Sequence, residues 1–409
     1  MGIAQEGDDL LAGLASFLPG GNSHAPTCII APVNLERSLE YLRDYRYRNE
    51  RFDRVVGAVM ANPAAARAVR ASVSAASTLS RRLRPDARPG EYETVFFVAG
   101  EMRSGTSWLR RTLSTHPEIV CGHEGSFFGR GYEREEIPVY TKPVSSLTRA
   151  LDVSEEFETW HGLPWNQWTD GYEEDLRNLT RLSVDYFLAK EVARTGKRIV
   201  GDKSPQHTEC LDEIHEVYPD ARIIHIVRDG RDVAVSAMNH WWRLASDRED
   251  GVFQLTPEEI ERRDDYLEDR EDFLKEGRSI FTEERLGQLA RRWEYRIGKA
   301  RREGRALYGG KYLEIRYEDL LSDTPEALRR ILRFLDARRD ERVVEHCLAA
   351  SSFERASQRK QGEEDGSSFF RKGVAGDWRS VFTERDRELY KRLAGERLIE
   401  VGYENSRDW

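Results

Sequence analysis

Three short runs combine cations with glycine or with the tip of an apolar segment, in arrangements suited to holding phosphate. The first, Gly100-Glu101-Met102-Arg103-Ser104-Gly105-Thr106-Ser107-Trp108, leads into a helical pattern beginning near Thr106. A turn of this kind aims several backbone N–H groups at one point, and the dipole of the following helix adds favourable potential for an anion there. The spacing resembles the G-x-x-x-x-G-K-[ST] nucleotide loop, but Thr106 stands where that loop has lysine, and the positive charge has moved forward to Arg103. A loop lysine serves phosphates alongside magnesium, whereas a fixed guanidinium suits an anion bound without metal. The second run has Arg228 at the tip of an apolar segment and Ser236 two helical turns further on, a pair able to grip a second phosphate. The third, Phe369 to Trp378, sets Arg371 and Lys372 against Gly373 between aromatic anchors, where glycine lets the backbone approach a ligand closely.

These runs need a scaffold that brings distant segments together. Thr94 to Ala99 (TVFFVA) is an unalternating β-branched and aromatic run, as expected of a strand buried on both faces. Arg222 to Val227 (RIIHIV) and Lys311 to Tyr317 (KYLEIRY) read as further strands, the latter preceding a helical region from Leu320 to Phe334. Strands alternating with helices predict a parallel sheet covered on both faces, an α/β fold of three layers like that of P-loop nucleotide-binding proteins. Ligands of such sheets gather at the carboxyl ends of the strands. Residues 1–90, with an Ala-rich stretch from Asn62 to Ser77, read as a helical extension that ends at RRLRPDARPG; the main domain is expected over 91–409. Within it, the Asp/Glu/Arg-dense stretch from Asp247 to Glu284 reads as a charged helical insert or lid near 243–290.

In this order and spacing, the runs resemble the sulfotransferase family that uses 3′-phosphoadenosine 5′-phosphosulfate (PAPS), over roughly residues 93 to 390. The resemblance implies that Arg103, Ser104, Gly105, Thr106, Ser107 and Trp108 cradle the 5′-phosphosulfate, with Arg103 where many members carry lysine. It implies that Arg228 and Ser236 hold the 3′-phosphate together with Arg371, Lys372 and Gly373, and that Tyr317, Ser352 and Phe353 contact the nucleotide, Phe353 near the adenine. PAPS is then the donor and 3′,5′-phosphoadenosine (PAP) the product, with no metal. The lysine-serine-histidine segment of the cytosolic branch is absent. Instead, His116 to Glu124 is similar to the segment that supplies a glutamate base in tyrosylprotein and heparan-type members, which makes Glu124 the candidate base. Gly201 to Pro205 is similar to their segment whose lysine, here Lys203, approaches the transferred group. His123 and His207 stay open as competing bases, whereas His116 and His225 are read as structural. Phe127 and Phe128 offer an apolar wall near Glu124.

Composition bounds the rest. With 409 residues, 39% of them hydrophobic and 33% charged, the chain has the make-up of a folded protein with an ionic surface, and its net charge of −9 argues against a general nucleic-acid or membrane binder. No run reaches the roughly 18 apolar residues of a membrane span. Cys28, Cys121, Cys210 and Cys347 form no metal or disulfide pattern, so reduced thiols and a cytoplasmic location are expected. Trp160, Trp165 and Trp168 form a cluster suited either to stacking on an acceptor or to packing. The acceptor is expected to be a hydroxyl of a small metabolite or glycoconjugate. A nucleotide kinase, a PAP relay fed by an aryl sulfate, and a nucleotide-sensing scaffold are the alternatives. A homodimer is possible, although Arg379 to Glu388 matches the family's dimer element only in outline, with Glu384 in place of its valine.

Overall fold

A computed structural model describes residues 92–129, 146–152, 155–163, 168–169, 171–244, 255–351 and 374–409. The expected helical extension lies outside the described residues, as do Trp165, Ser352, Phe353, Arg371, Lys372 and Gly373. Thr94–Ala99 forms β1, Thr106–Thr115 α1, Ile119–His123 β2, Leu147–Asp152 α2 and Glu155–His161 α3. Tyr172–Thr195 forms α4, Ile199–Lys203 β3, Leu211–Val217 α5, Arg222–Val227 β4 and Gly230–Leu244 α6. Pro257–Glu268 (α7), Arg270–Lys275 (α8) and Glu283–Glu303 (α9) precede Tyr312–Arg316 (β5). Tyr317–Ser322 (α10), Thr324–Phe334 (α11), Glu341–Ser351 (α12) and Glu384–Val401 (α13) complete the described elements.

The five strands pair in the order β2-β3-β1-β4-β5, and every pairing is parallel. Successive side chains of β1 take opposite faces, as the two-residue period of a strand requires. Phe96 and Val98 pack with Leu109 and Leu113 of α1, Ile331 of α11 and Val344 of α12. Val95 and Phe97 pack on the other side with Val184 and Leu188 of α4 and Ile214 of α5. Helices therefore cover both faces, and the predicted three-layer α/β architecture is the one observed.

The charged stretch expected to form one insert is, where described, two helices. Thr256 caps α7 with a reciprocal capping box, and Asp269 both closes α7 and accepts the Asp272 N–H to open α8. The third predicted strand is shorter than its apolar run: Lys311 sits in a 3₁₀ turn and Tyr317 already begins α10. The helical region after it is divided by Asp323, whose side chain accepts from Glu326 N, with proline in the first turn of α11. In the segment resembling a dimer element, Val381 and Phe382 are buried within the chain and Thr383 caps α13. Among the described residues no helix is long and apolar enough to cross a membrane, and Cys121, Cys210 and Cys347 are free and buried.

Candidate active site

The carboxyl end of each strand delivers one part of a continuous row. β2 ends at His123 and hands on Glu124, β3 ends at Lys203, β1 runs into the Gly100–Gly105 turn, β4 hands on Arg228, and β5 hands on Tyr317. Parallel register aligns these ends: His123 and Val98 both pair with Lys203, and Val227 pairs with Arg316. Neighbouring strands lie about 4.8 Å apart, so a ligand lying across the sheet edge meets all five.

The loop between β1 and α1 is held from below. Glu101 is fully buried and paired with Arg292 (2.9 Å) and Arg296 (3.0 Å) of α9, while Arg296 also reaches Glu209. Burial works against the Glu101 carboxylate, yet the two guanidiniums together hold it below the usual carboxylate range. Gly105 ends the loop at φ 87°, and a Cβ there would come within 2.6 Å of the Tyr317 ring. The α1 N-terminus that follows has no side-chain cap and no acidic residue in its first turn, unlike the capped, acidic starts of α7, α9, α11 and α13. Its first N–H groups are thus left to an anion. Ser104 is buried, and its hydroxyl has no hydrogen-bond partner among the described residues. An orphaned donor in an electropositive turn fits a phosphate or sulfate group. Ser107 is half-buried on α1, and Trp108 packs against the core beneath.

The Arg228–Ser236 pair is tied directly to this loop. Arg103, at φ 69°, donates from Nε to Ser236 Oγ at 3.2 Å, and its carbonyl accepts from Arg228 Nη1 at 2.7 Å. Arg228 also donates to Val374 O at 3.1 Å and lies 4.5 Å over the Tyr317 ring, while its buried Nε has no partner among the described residues. Val374 directly follows the Arg371-Lys372-Gly373 run. Asp232 anchors the same segment, accepting from Gly376 N at 2.6 Å and Trp378 N at 3.0 Å. Trp293 Nε1 donates to Arg228 O at 3.0 Å, fixing the strand tip from α9.

At the other end of the row, Lys203 Nζ meets Glu124 Oε1 at 2.5 Å; the lysine side chain is 0% exposed and the glutamate 30%. Glu124 lies at φ 52°, and its N–H donates to Lys203 O at 2.7 Å. His123 Nε2 is 3.9 Å from the same carboxylate oxygen, on the exposed side. His207 is elsewhere: its ring is enclosed in the core, edge-on to Phe97 at 5.3 Å, with Nδ1 bonded to Val98 O at 3.1 Å. Burial lowers its pKa to about 4, so the ring is neutral and Nδ1 donates. Asp202 faces its Nε2 at 3.7 Å, and burial pushes that carboxyl up to about 6. Phe128 turns into the core with His207 and Tyr218, leaving Phe127 to fold over Gly125 and stack on Phe187 of α4. Trp160 is exposed, and Trp168 is 90% exposed.

Four contributors had no reading in the sequence: Glu101, Asp202, Asp232 and the Arg292–Arg296 pair. Glu101 carried the clearest signal, since a carboxylate separated by only Gly100 from a buried strand needs a cation if it too is buried.

Comparison with known proteins agrees with the chemistry of this row. A family profile described as "Sulfotransferase family" matches residues 96–342. Sulfotransferase 2A2 of Rattus norvegicus is 22% identical over 309 residues, covering 72% of this chain and 81% of its own. The protein-tyrosine sulfotransferase of Drosophila melanogaster is 20% identical over 254 residues, covering 62% of this chain and 40% of the fly protein. The chain spans 28% of the length of one curated relative and 82% of that of another. Among solved structures, mouse sulfotransferase SULT7A1 complexed with PAP is 19% identical with a TM-score of 0.43, covering 78% of this chain and 87% of that one. With more than half of its length matched by the family profile, the chain belongs to the sulfotransferase family.

Proposed function

We propose that the chain moves the sulfuryl group of PAPS onto a hydroxyl of a small metabolite or glycoconjugate by in-line transfer. The observation that carries this reading is the single row of Glu124, Lys203, the 100–105 turn, Arg228 and Tyr317 along one edge of the sheet. When bound, the donor supplies an activated sulfuryl group on a phosphate leaving group.

The chain's own residues then have separate tasks. The uncapped α1 N-terminus, Ser104 and Arg103 hold the 5′ end; Arg228 and Ser236 hold the 3′-phosphate, with Arg371, Lys372 and Gly373 assigned beside them because Val374 is bonded to Arg228. Tyr317 packs between loop and Arg228 and is assigned to the nucleoside, as Ser352 and Phe353, outside the described residues, are by the family resemblance. Lys203 neutralises the charge that develops on the leaving phosphate, the term expected to dominate a transfer with little covalent work for the protein. As the acceptor oxygen bonds to sulfur and the sulfur–phosphate oxygen bond breaks, the hydroxyl proton passes to Glu124. Glu124 is preferred as base over His207, which is enclosed at 1% exposure, and over His123, because Glu124 is the group that meets Lys203. Reduced, buried cysteines suit a cytoplasmic location.

Parallel calorimetric titrations with PAP and with magnesium-ATP test the proposal. Metal-independent binding of PAP alone is expected; preference for magnesium-ATP overturns the reading in favour of a kinase.

A further inference from the structure

Asp202 presents a buried carboxylate beside Lys203 for which the transfer step has no use. It is 1% exposed, and the described group nearest to forming an ion pair with it is the neutral His207 ring at 3.7 Å. Burying a carboxylate is costly unless hydrogen bonds compensate. The hydrogen-bond compensation comes from Gly125, whose N–H points between the two oxygens at 3.2 and 3.3 Å, and the charges of Lys203 and Arg110 add to it. The neighbouring chain makes room for this contact. A Cβ at Gly122 would come within 2.9 Å of Asp202 Oδ1, so a larger residue there would displace the carboxylate.

What this bond restrains is the backbone that carries Glu124. Glu124 and Ser126 both occupy the left-handed region, at φ 52° and 49°. That conformation costs a residue with a side chain on the order of 1–2 kcal/mol and persists only where the surroundings impose it. Here the turn is pinned at two consecutive N–H groups, Glu124 by Lys203 O (2.7 Å) and Gly125 by the Asp202 side chain. One strand end, Asp202-Lys203, therefore supplies the ammonium that meets the Glu124 carboxylate and both acceptors that shape its backbone.

We propose that Asp202 is a positioning residue, whose carboxylate locks the Glu124–Gly125 peptide in the left-handed turn that aims Glu124 at the reacting hydroxyl. The proposal rests on the assignment of Glu124 as base. Misplacing a reacting group by about 1 Å can cost on the order of 100-fold in rate.

The test pairs hydrogen–deuterium exchange over residues 122–128 with release of PAP from PAPS into water, for wild type, Asp202→Ala, Asp202→Asn and Gly122→Ala. Asp202→Ala is expected to raise exchange and to slow PAP release between about 10- and 100-fold, with PAP affinity unchanged. Asp202→Asn, whose amide oxygen still accepts the Gly125 N–H, is expected to restore both. Gly122→Ala, which keeps the charge but crowds the carboxylate, is expected to behave like Asp202→Ala and stands in for it should that variant not fold. Unchanged exchange in Asp202→Ala, or an Asn variant no better than Ala, overturns the proposal. If the wild-type chain releases no PAP into water, exchange alone decides the role of Asp202, while the transfer reading stands or falls with the PAP and magnesium-ATP titrations.

Discussion

Glu124 and Lys203 form a half-exposed carboxylate on a fully buried ammonium, and the asymmetry decides what substitution does. Glu124→Gln keeps the shape and an oxygen for Lys203 but cannot take a proton. The expected outcome is a turnover lower by on the order of 100-fold, the usual scale of general-base catalysis, with PAP affinity unchanged; single-turnover kinetics beside calorimetry would check it, and near-normal turnover would remove Glu124 from the mechanism. At this scale the sequence was readable where residue type declares chemistry. Arg103 and Arg228 stand beyond the ends of strands read from the sequence, Ser236 lies on α6 against Arg103, and Lys203, assigned by resemblance, ends β3. Asp202, Asp232 and Glu101 were not readable, because a carboxylate acquires a positioning task only through its partner. Their partners Gly125, Trp378 and Arg296 lie 77, 146 and 195 positions away.

Between residue and fold stand the turns that carry the site. Gly105→Ala introduces a Cβ at φ 87°, 2.6 Å from the Tyr317 ring, so strain and crowding act together. Destabilisation of about 1–3 kcal/mol and weaker PAP binding are expected from melting curves and calorimetry, and a variant that binds PAP normally would show that the loop tolerates another path. Element by element, β1 and β4 were legible because TVFFVA and RIIHIV are unbroken runs that only a doubly covered strand explains. β2 and β3 were not, since IVCGH and IVGDK have five residues each and end in glycine and polar groups. The residues that blur them as strands are the ones that reach the site. The split between α10 and α11 was legible only in hindsight, from Asp323 and the following proline acting as cap and first turn.

At the scale of the whole molecule, buried titratable groups link stability to pH. His207 and His225 are held neutral by burial, with pKa values near 4 and 3 against an ordinary 6.5. Their contribution is fully present above about pH 6.5 and is lost as pH falls toward 4, because the unfolded chain takes up protons that the folded chain refuses. His116, also lowered by burial, acts in the same sense. Asp202 opposes them: raised to about 6 from 3.8, it favours the folded state as pH falls through 6. Asp232, Glu303 and Glu318, also raised by burial, oppose the histidines too. His240 and the lowered carboxylates Glu101 and Glu259 act with the histidines, so stability should drop between pH 6 and 4 by about 1.4 kcal/mol per pH unit for each net proton. Urea midpoints at pH 7 and pH 5 would check this, and equal midpoints would mean that the imidazoles are not buried neutral.

The strand order has one more consequence. Because β1 lies between β3 and β4, and because Glu124, Lys203, Arg228 and Tyr317 come from four different strand ends, no short fragment of the chain contains the phosphate-holding row. Parallel, non-local pairings of this kind close late in folding. A nucleotide that fits the row can therefore recognise only the finished molecule, and at a hundred times its dissociation constant it would stabilise the fold by about 2.7 kcal/mol. In a cell, supply of the nucleotide would then govern how much of the protein escapes degradation. Its steady-state level should fall when the nucleotide is depleted, even with synthesis unchanged, and a pulse-chase measurement of its half-life would show whether it does.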